Sequence, residues 1–332
     1  MSPKLPVKIG MMSFAHMHAF SYAAAVKQLA GVEFVGIADP DASRAADVAK
    51  KFGVKAFADY KELLSGDVDG VIICSENINH RPDVELAASY GKHIMCEKPL
   101  APSMDDAWAM VETCKNAGVK LQTAFPCRYH PAFIRLKKAV ESGDLGKILA
   151  VKATNQGKCP WGWFVDKKLS GGGAVIDHTV HVMDLMRYMT GAEPVRVYAE
   201  IDNKMYGKDF DDTGILTVDF SNGMFATIDA SWSRPKSFPF WGNVKMEVTG
   251  DQGIANMDMF AQKVEAFYDK TMGASYEYWG DNIDLALVAS FVRSIAEDTP
   301  AEVTGEDGAR AVAVALAAYE SAKTGKPVEI SR

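Results

Sequence analysis

The run His93-Ile94-Met95-Cys96-Glu97-Lys98-Pro99-Leu100 places a lysine at the end of an apolar strand, directly before a proline. Proline disfavours the α region for the residue before it, so Lys98 is held extended where strand gives way to loop. Burial and neighbouring charge adjust the charge state of a lysine, which suits it for work at a reacting centre. A lone Lys-Pro reads more simply as a surface lysine at a strand exit. A second group lies in Ser170-Gly171-Gly172-Gly173-Ala174-Val175-Ile176-Asp177-His178-Thr179-Val180-His181. Asp177 and His181 are spaced i, i+4 and share one face of a helix. A carboxylate beside an imidazole raises its basicity and fixes its orientation. A histidine near neutrality is a suitable base for taking a proton from an alcohol. In isolation the pair reads more simply as a first-turn aspartate and a core histidine.

The elements that must position these groups are strands and helices in alternation. Val7–Met12, Val32–Ala38, Val68–Cys74, His93–Glu97 and Lys120–Phe125 read as buried strands. Between them, Ala19–Ala30 and Ser43–Phe52 read as helices stopped by Gly31 and Gly53. A third runs from Pro82 to Tyr90, and a fourth opens at Ser103 and closes at Gly118. Repeated units of this kind imply an α/β, doubly wound, parallel Rossmann-type sheet with right-handed crossovers. The remainder changes character after a helix at Pro131–Glu141. Leu216–Phe220 alternates, Asn222-Gly223 is a hairpin turn, and Met224 to Trp232 returns with an apolar face. Asn243–Thr249, Ile254–Phe260 and Lys263–Tyr268 continue an open, mainly antiparallel sheet with one covered face. Helices Ile283–Glu297 and Glu306–Lys323 close the chain. The expected division is a dinucleotide-binding domain over 1–125 and a substrate-binding and oligomerisation domain over 126–332.

If the first sheet holds a dinucleotide, the turn after its first strand should cradle the phosphates. It reads Gly10-Met11-Met12-Ser13-Phe14-Ala15-His16-Met17-His18, with Ser13 and Ala15 where glycines would stand. Small residues still allow close backbone approach, and the following helix offers its N-terminal amides. Asp39, in Ala38-Asp39-Pro40, stands where an acidic residue accepts hydrogen bonds from ribose hydroxyls. That favours NAD, whereas Arg44, five residues on, leaves NADP open. His16 and His18 lack a third ligand at usable spacing, so no metal is expected.

Composition bounds the rest. The 332 residues carry a net charge of −7 with no basic cluster, against binding to nucleic acid. Five widely spaced cysteines without a CxxC pair suit reduced thiols, and no signal core or membrane-length apolar run is present. A cytoplasmic protein that engages no membrane is expected.

Together these features resemble the glucose–fructose oxidoreductase / inositol dehydrogenase / rhizopine catabolism family (Gfo/Idh/MocA). The resemblance rests on Cys96-Glu97-Lys98-Pro99, on the glycine run followed by Asp177-x-x-x-His181, and on Val71 to His80 as a strand ending in TPNxxH, with Glu76 in place of proline. Arg128-Tyr129-His130-Pro131 and Thr304-Gly305-Glu306-Asp307-Gly308 add to it. It implies an NAD(P)-dependent dehydrogenase and a homodimer or homotetramer formed through the C-terminal sheet. Lys98 would stand beside the nicotinamide ribose, Asp177 would orient the substrate, and His181 would take the hydroxyl proton. The cofactor would be held by Ser13, Phe14, Ala15, His16, Asp39, Arg44, Ser75, Asn77, His80, Glu97 and Lys98. A cis bond before Pro99 is expected on the same ground. Substrate candidates are Arg128, Tyr129, Trp161, Trp163, Asp166 and His178, with His130 beside them, a mixture of aromatic and polar groups that suits a sugar or cyclic polyol. The alternatives are a nucleotide- or sugar-sensing regulator on the same fold, and a metal-dependent hydrolase using Asp177, His178 and His181.

Overall fold

The computed structural model describes residues 4–278 and 280–331. The apolar runs of the first third form strands because both their faces are covered: Gly70, Val71, Ile72 and Ile73 are all buried. These strands are β1 (Val7–Met12), β2 (Val32–Ala38), β3 (Lys55–Ala56), β4 (Gly70–Ile73), β5 (His93–Cys96) and β6 (Leu121–Thr123). They lie in the order β3-β2-β1-β4-β5-β6, every neighbouring pair parallel. The crossovers are α1 (Ala19–Gln28), α2 (Ala42–Phe52), α3 (Tyr60–Ser65), α4 (His80–Ser89) and α5 (Met104–Ala117). Local chemistry sets their ends. Asp41 and Ser103 accept the amides of Arg44 and Asp106 as N-caps. Gly53 and Gly118 end α2 and α5 at φ 63° and 67°, a conformation that favours glycine.

The chain continues through α6 (Pro131–Glu141), β7 (Ile148–Gly157), α7 (Lys167–Ser170) and α8 (Ala174–Thr190). Strands β8 (Pro194–Asp202), β9 (Thr213–Phe220), β10 (Phe225–Asp229), β11 (Gly242–Gly250) and β12 (Ile254–Asp258) follow. The hairpin β13 (Lys263–Tyr268) and β14 (Gly273–Tyr278) precedes α9 (Ile283–Ala296), α10 (Gly305–Thr324) and β15 (Val328–Glu329). A seven-stranded sheet runs β12-β11-β7-β10-β9-β8-β15, antiparallel except where β7 and β10 pair in parallel.

Two compact units result. One comprises Met1–Pro126, Asp166–Gly171 and Ile283–Val312, the other Cys127–Val165, Gly172–Asn282 and Ala313–Arg332. The helix α9 belongs with the parallel sheet for a local reason. A Cβ at Gly70 would meet Ile295 at 2.8 Å and Phe291 at 3.1 Å, so bare backbone lets α9 lie against β4. In the second unit the inward residues of β7 to β11, among them Val151, Leu216, Val218, Ile228 and Val248, pack with Val182, Met183 and Met186 of α8. The opposite face is exposed at Lys152, Tyr198, Ile215, Thr217 and Phe225. Among the described residues, no helix is long and apolar enough to cross a membrane. No disulfide links the cysteines, which are all buried.

Candidate active site

Parallel strands deliver their carboxyl ends to one edge of a sheet, and the reversal of strand order beside β1 and β4 makes a crevice there. Ser13, Asp39, Ser75 and Lys98 lie just beyond β1, β2, β4 and β5 respectively. Ser13 has φ 65°, so the turn adopts the left-handed conformation of a glycine position with a serine in place. Its Oγ accepts the Ala15 amide at 3.1 Å, and the His16 amide donates to the Cys74 carbonyl at 2.9 Å.

Asp39 is engaged on both oxygens. Oδ2 accepts the Phe14 amide and Arg44 Nε, each at 2.7 Å; Oδ1 accepts Arg44 Nη2 at 2.7 Å and the Asp41 amide at 2.8 Å. Four donors match the capacity of a carboxylate. A ribose hydroxyl that binds Asp39 therefore takes the place of Arg44, whose side chain is a third exposed.

Lys98 is 4% exposed, and its peptide bond to Pro99 is cis. The preceding Glu97 is fully buried, accepts the Lys98 amide at 2.8 Å, and faces His18 Nδ1 at 3.0 Å and His16 Nδ1 at 3.7 Å. Burial pushes the Glu97 carboxyl up, but His16, His18 and Lys98 together hold it well below the usual carboxylate range. Burial lowers His18, and the Glu97 charge more than offsets this, leaving it raised. Sequence spacing supplied no third donor to His16 and His18, whereas the fold brings Glu97 to them with one donor atom from each within 4.8 Å.

The segment after β4 is knitted into the same unit. Both ring nitrogens of His80 meet backbone carbonyls: Nδ1 those of Pro99 and Leu100 at 3.1 Å, Nε2 that of Ser75 at 3.2 Å. Asn77 donates to the Ser170 carbonyl at 2.8 Å, and its buried Oδ1 meets no donor among the described residues. A buried acceptor of this kind beside the strand exits suits a nucleotide hydroxyl or amide. Ser75 donates to Asp83 at 2.6 Å. Burial pushes the Asp83 carboxyl up to about 6. The folded chain thus keeps a proton that the unfolded chain has released. The stabilisation is full below about pH 4 and is lost as pH rises through about 6. Asp83→Asn is expected to match the wild type at pH 4 and to exceed it at pH 7 by on the order of 2–3 kcal/mol. Urea unfolding at the two values measures this, and equal stability at pH 7 would refute it.

In the second unit α8 is buried almost throughout. Its N-terminus has no side-chain cap of its own. Asp211 accepts the amides of Gly173 and Val175 at 2.8 Å, and the Tyr319 hydroxyl accepts that of Ile176 at 3.2 Å. A Cβ at Gly172 would stand 2.3 Å from that hydroxyl, and one at Gly173 2.0 Å from the Asp211 carbonyl. Close packing therefore requires these glycines.

Asp177 Oδ2 accepts Trp232 Nε1 at 3.2 Å and lies 3.2 Å from His178 Nε2. His181 is buried, with Nδ1 4.0 Å from Cys127 Sγ. Arg128 is committed to a buried fork with Asp184: Nε to Oδ2 at 2.7 Å and Nη2 to Oδ1 at 2.5 Å. Asp166 caps α7 by accepting the Lys168 amide, and His130 caps α6 by accepting that of Ala132. Trp161 is 43% exposed and packs edge-on against Tyr206 at 5.1 Å, while Trp163 stacks on Phe164 at 3.9 Å. Tyr129 ends a short 3₁₀ turn over Pro126–Tyr129. Sequence reasoning missed Asn155 and the part of Trp232. The signal for Trp232 was an indole N–H at the end of an apolar alternation, where burial demands an acceptor.

Comparison with known proteins agrees with this architecture. The model described as "Oxidoreductase family, NAD-binding Rossmann fold" matches residues 7–125, and that of the GFO/IDH/MocA C-terminal domain matches 133–256. The myo-inositol 2-dehydrogenase of Thermotoga maritima is 30% identical, with 97% of each chain covered. The D-xylose 1-dehydrogenase (NADP(+)) 2 of Haloferax volcanii is 31% identical over 90% of this chain and 92% of its own. Among solved structures, GenD2 from gentamicin A biosynthesis in complex with NAD is similar in fold, with a TM-score of 0.91 at 23% identity and coverage of 100% and 98%. The chain belongs to the Gfo/Idh/MocA oxidoreductases, and residues 7–125 form their NAD-binding Rossmann fold.

Proposed function

We propose that the protein oxidises a secondary alcohol of a sugar, cyclic polyol or sugar derivative with NAD as hydride acceptor. The observation that carries this reading is a buried acid and two buried histidines on α8, in a chain whose other unit is an NAD-binding fold with a buried strand-exit lysine. The relatives named above act on an inositol and a pentose, and support the substrate class. Bound nicotinamide would supply the hydride acceptor. Asp177 holds the reacting hydroxyl, and His181 takes its proton as the carbon is oxidised. Lys98 would set positive charge beside the nicotinamide ribose. The exposed aromatic Trp161, with Tyr206, offers a face for a sugar ring. Arg128 and Asp166, given their partners, hold α8 and α7. Self-association through the exposed face of the seven-stranded sheet is part of the same reading.

Asp39 with Ser13, Phe14, Ala15, His16, Ser75 and Asn77 would hold the cofactor. Asp39→Ala is expected to move the ratio of kcat/KM for NAD over NADP downward by roughly ten- to a hundredfold, the size of a hydrogen bond to a charged group. A wild type that prefers NADP would sink this assignment. The function itself is tested by a screen of sugars, inositols and glycosides with both nucleotides, read at the nicotinamide absorbance. Nucleotide binding without turnover on any of them would favour a sensor.

A further inference from the structure

Trp232, just beyond β10, is fully buried with Cys159, Phe164, Ala174 and Phe210. A buried indole N–H needs an acceptor, and this one donates to Asp177 Oδ2 at 3.2 Å. The backbone of the tryptophan is held as well. Its amide donates to the Asp212 carbonyl at 2.8 Å, and its carbonyl accepts the Tyr206 hydroxyl at 3.3 Å. Asp212, itself fully buried, accepts the amides of Met205 and Tyr206 at 3.0 and 2.7 Å. Phe210 packs on the indole with ring centroids 5.8 Å apart, and the His178 ring meets it edge-on at 6.4 Å. The loop over residues 203–212 thus fixes where the indole stands.

A carboxylate turns about its last torsion with only a broad preference, because that torsion joins an sp³ to an sp² carbon. A donor fixed on one oxygen removes this freedom and sets the direction in which both oxygens accept. An indole suits the task, since its nitrogen only donates and takes up no proton in the reaction. Aim matters at a reacting centre, where a misplacement of about 1 Å costs on the order of a hundredfold in rate. We propose that Trp232 is a positioning residue, whose indole N–H holds the Asp177 carboxylate in the plane that meets the reacting hydroxyl. This deepens the dehydrogenase reading and rests on it for the part of Asp177.

The test separates the N–H from the bulk of the ring. Trp232→His keeps a five-membered ring whose Nε2 falls where the indole nitrogen stood, and Trp232→Phe keeps a larger apolar ring with no donor. Packing alone ranks phenylalanine above histidine, whereas the donor ranks histidine above phenylalanine. On a substrate the wild type turns over, Trp232→Phe should lower kcat by about ten- to a hundredfold, as loss of one hydrogen bond to a charged group predicts, with the KM for NAD unchanged. Trp232→His should retain more of the kcat than Trp232→Phe, although urea unfolding ranks it the less stable. An unaltered kcat in Trp232→Phe, or kcat values that follow the order of stability, would overturn the proposal. If neither variant folds, spectra of the full chain labelled with ¹⁵N-tryptophan decide. One indole proton signal among those of the six tryptophans should move upfield in Asp177→Leu, where the acceptor is gone. Six unmoved signals would overturn the pairing. These spectra need no turnover, so an absence of hydride transfer in the wild type counts against the dehydrogenase reading alone.

Discussion

His181→Gln is expected to lower kcat by about 10²–10⁴, the range that a positioned general base contributes. The glutamine keeps a polar group of similar reach but removes a site that takes up a proton near neutrality. Burial makes the loss hard to replace, because His181 is only 8% exposed and water has little access to stand in for it. Affinity for NADH, followed by nicotinamide fluorescence, should stay at the wild-type value, since the reading gives His181 a part in proton transfer alone. The measurement is kcat against pH for both proteins. The wild type should show a rising limb as the base loses its proton, and the variant should lack it. A variant that keeps the wild-type kcat and limb would assign the proton to another group.

The second large effect concerns stability. Arg128 and Asp184 have side chains 3% and 0% exposed, and Arg128 also lies over the Tyr188 ring with its guanidinium carbon 4.3 Å from the centroid. Removing one partner strands a charge where water cannot reach it. Arg128→Met is therefore expected to destabilise the fold by about 3–5 kcal/mol. The pair itself is worth far less than this, because both ions pay desolvation. The double variant Arg128→Met/Asp184→Leu should consequently recover most of the loss. Urea unfolding of the two single variants and the double closes the cycle. A double variant that stays as unstable as either single variant would show that the fork stabilises outright.

The parallel sheet was legible because its strands are covered on both faces and punctuated by capping residues. Val7–Met12 and Val32–Ala38 form with the bounds the sequence suggests, and Gly53 and Gly118 stop their helices. β7 escaped notice for the opposite reason. Its inward residues are Val151, Ala153, Asn155 and Gly157, small or polar because His178 of α8 stands against its end. The apolar alternation that marks a strand fades there, and with it the parallel pairing to β10. Among candidate site residues, the strand-exit groups could be inferred from topology alone. The commitments of Arg128 to Asp184, 56 residues away, and of Asp166 to a cap depend on packing that local spacing does not encode. The same holds for Glu97, which joins two histidines that sequence spacing left without a third partner.

The fastening of α8 by Asp211 and Tyr319 bears on how such a protein can be re-engineered. Phe210, the neighbour of that anchoring aspartate, lies in the same loop as Tyr206 and packs 6.1 Å from Trp161. If Trp161 and Tyr206 form the proposed sugar-binding face, specificity and scaffold share one stretch of chain, and wholesale loop exchange would unfasten α8 along with that face. A library that randomises Trp161 and Tyr206 while keeping Phe210, Asp211, Gly172, Gly173 and Tyr319 explores new substrates with the helix still anchored.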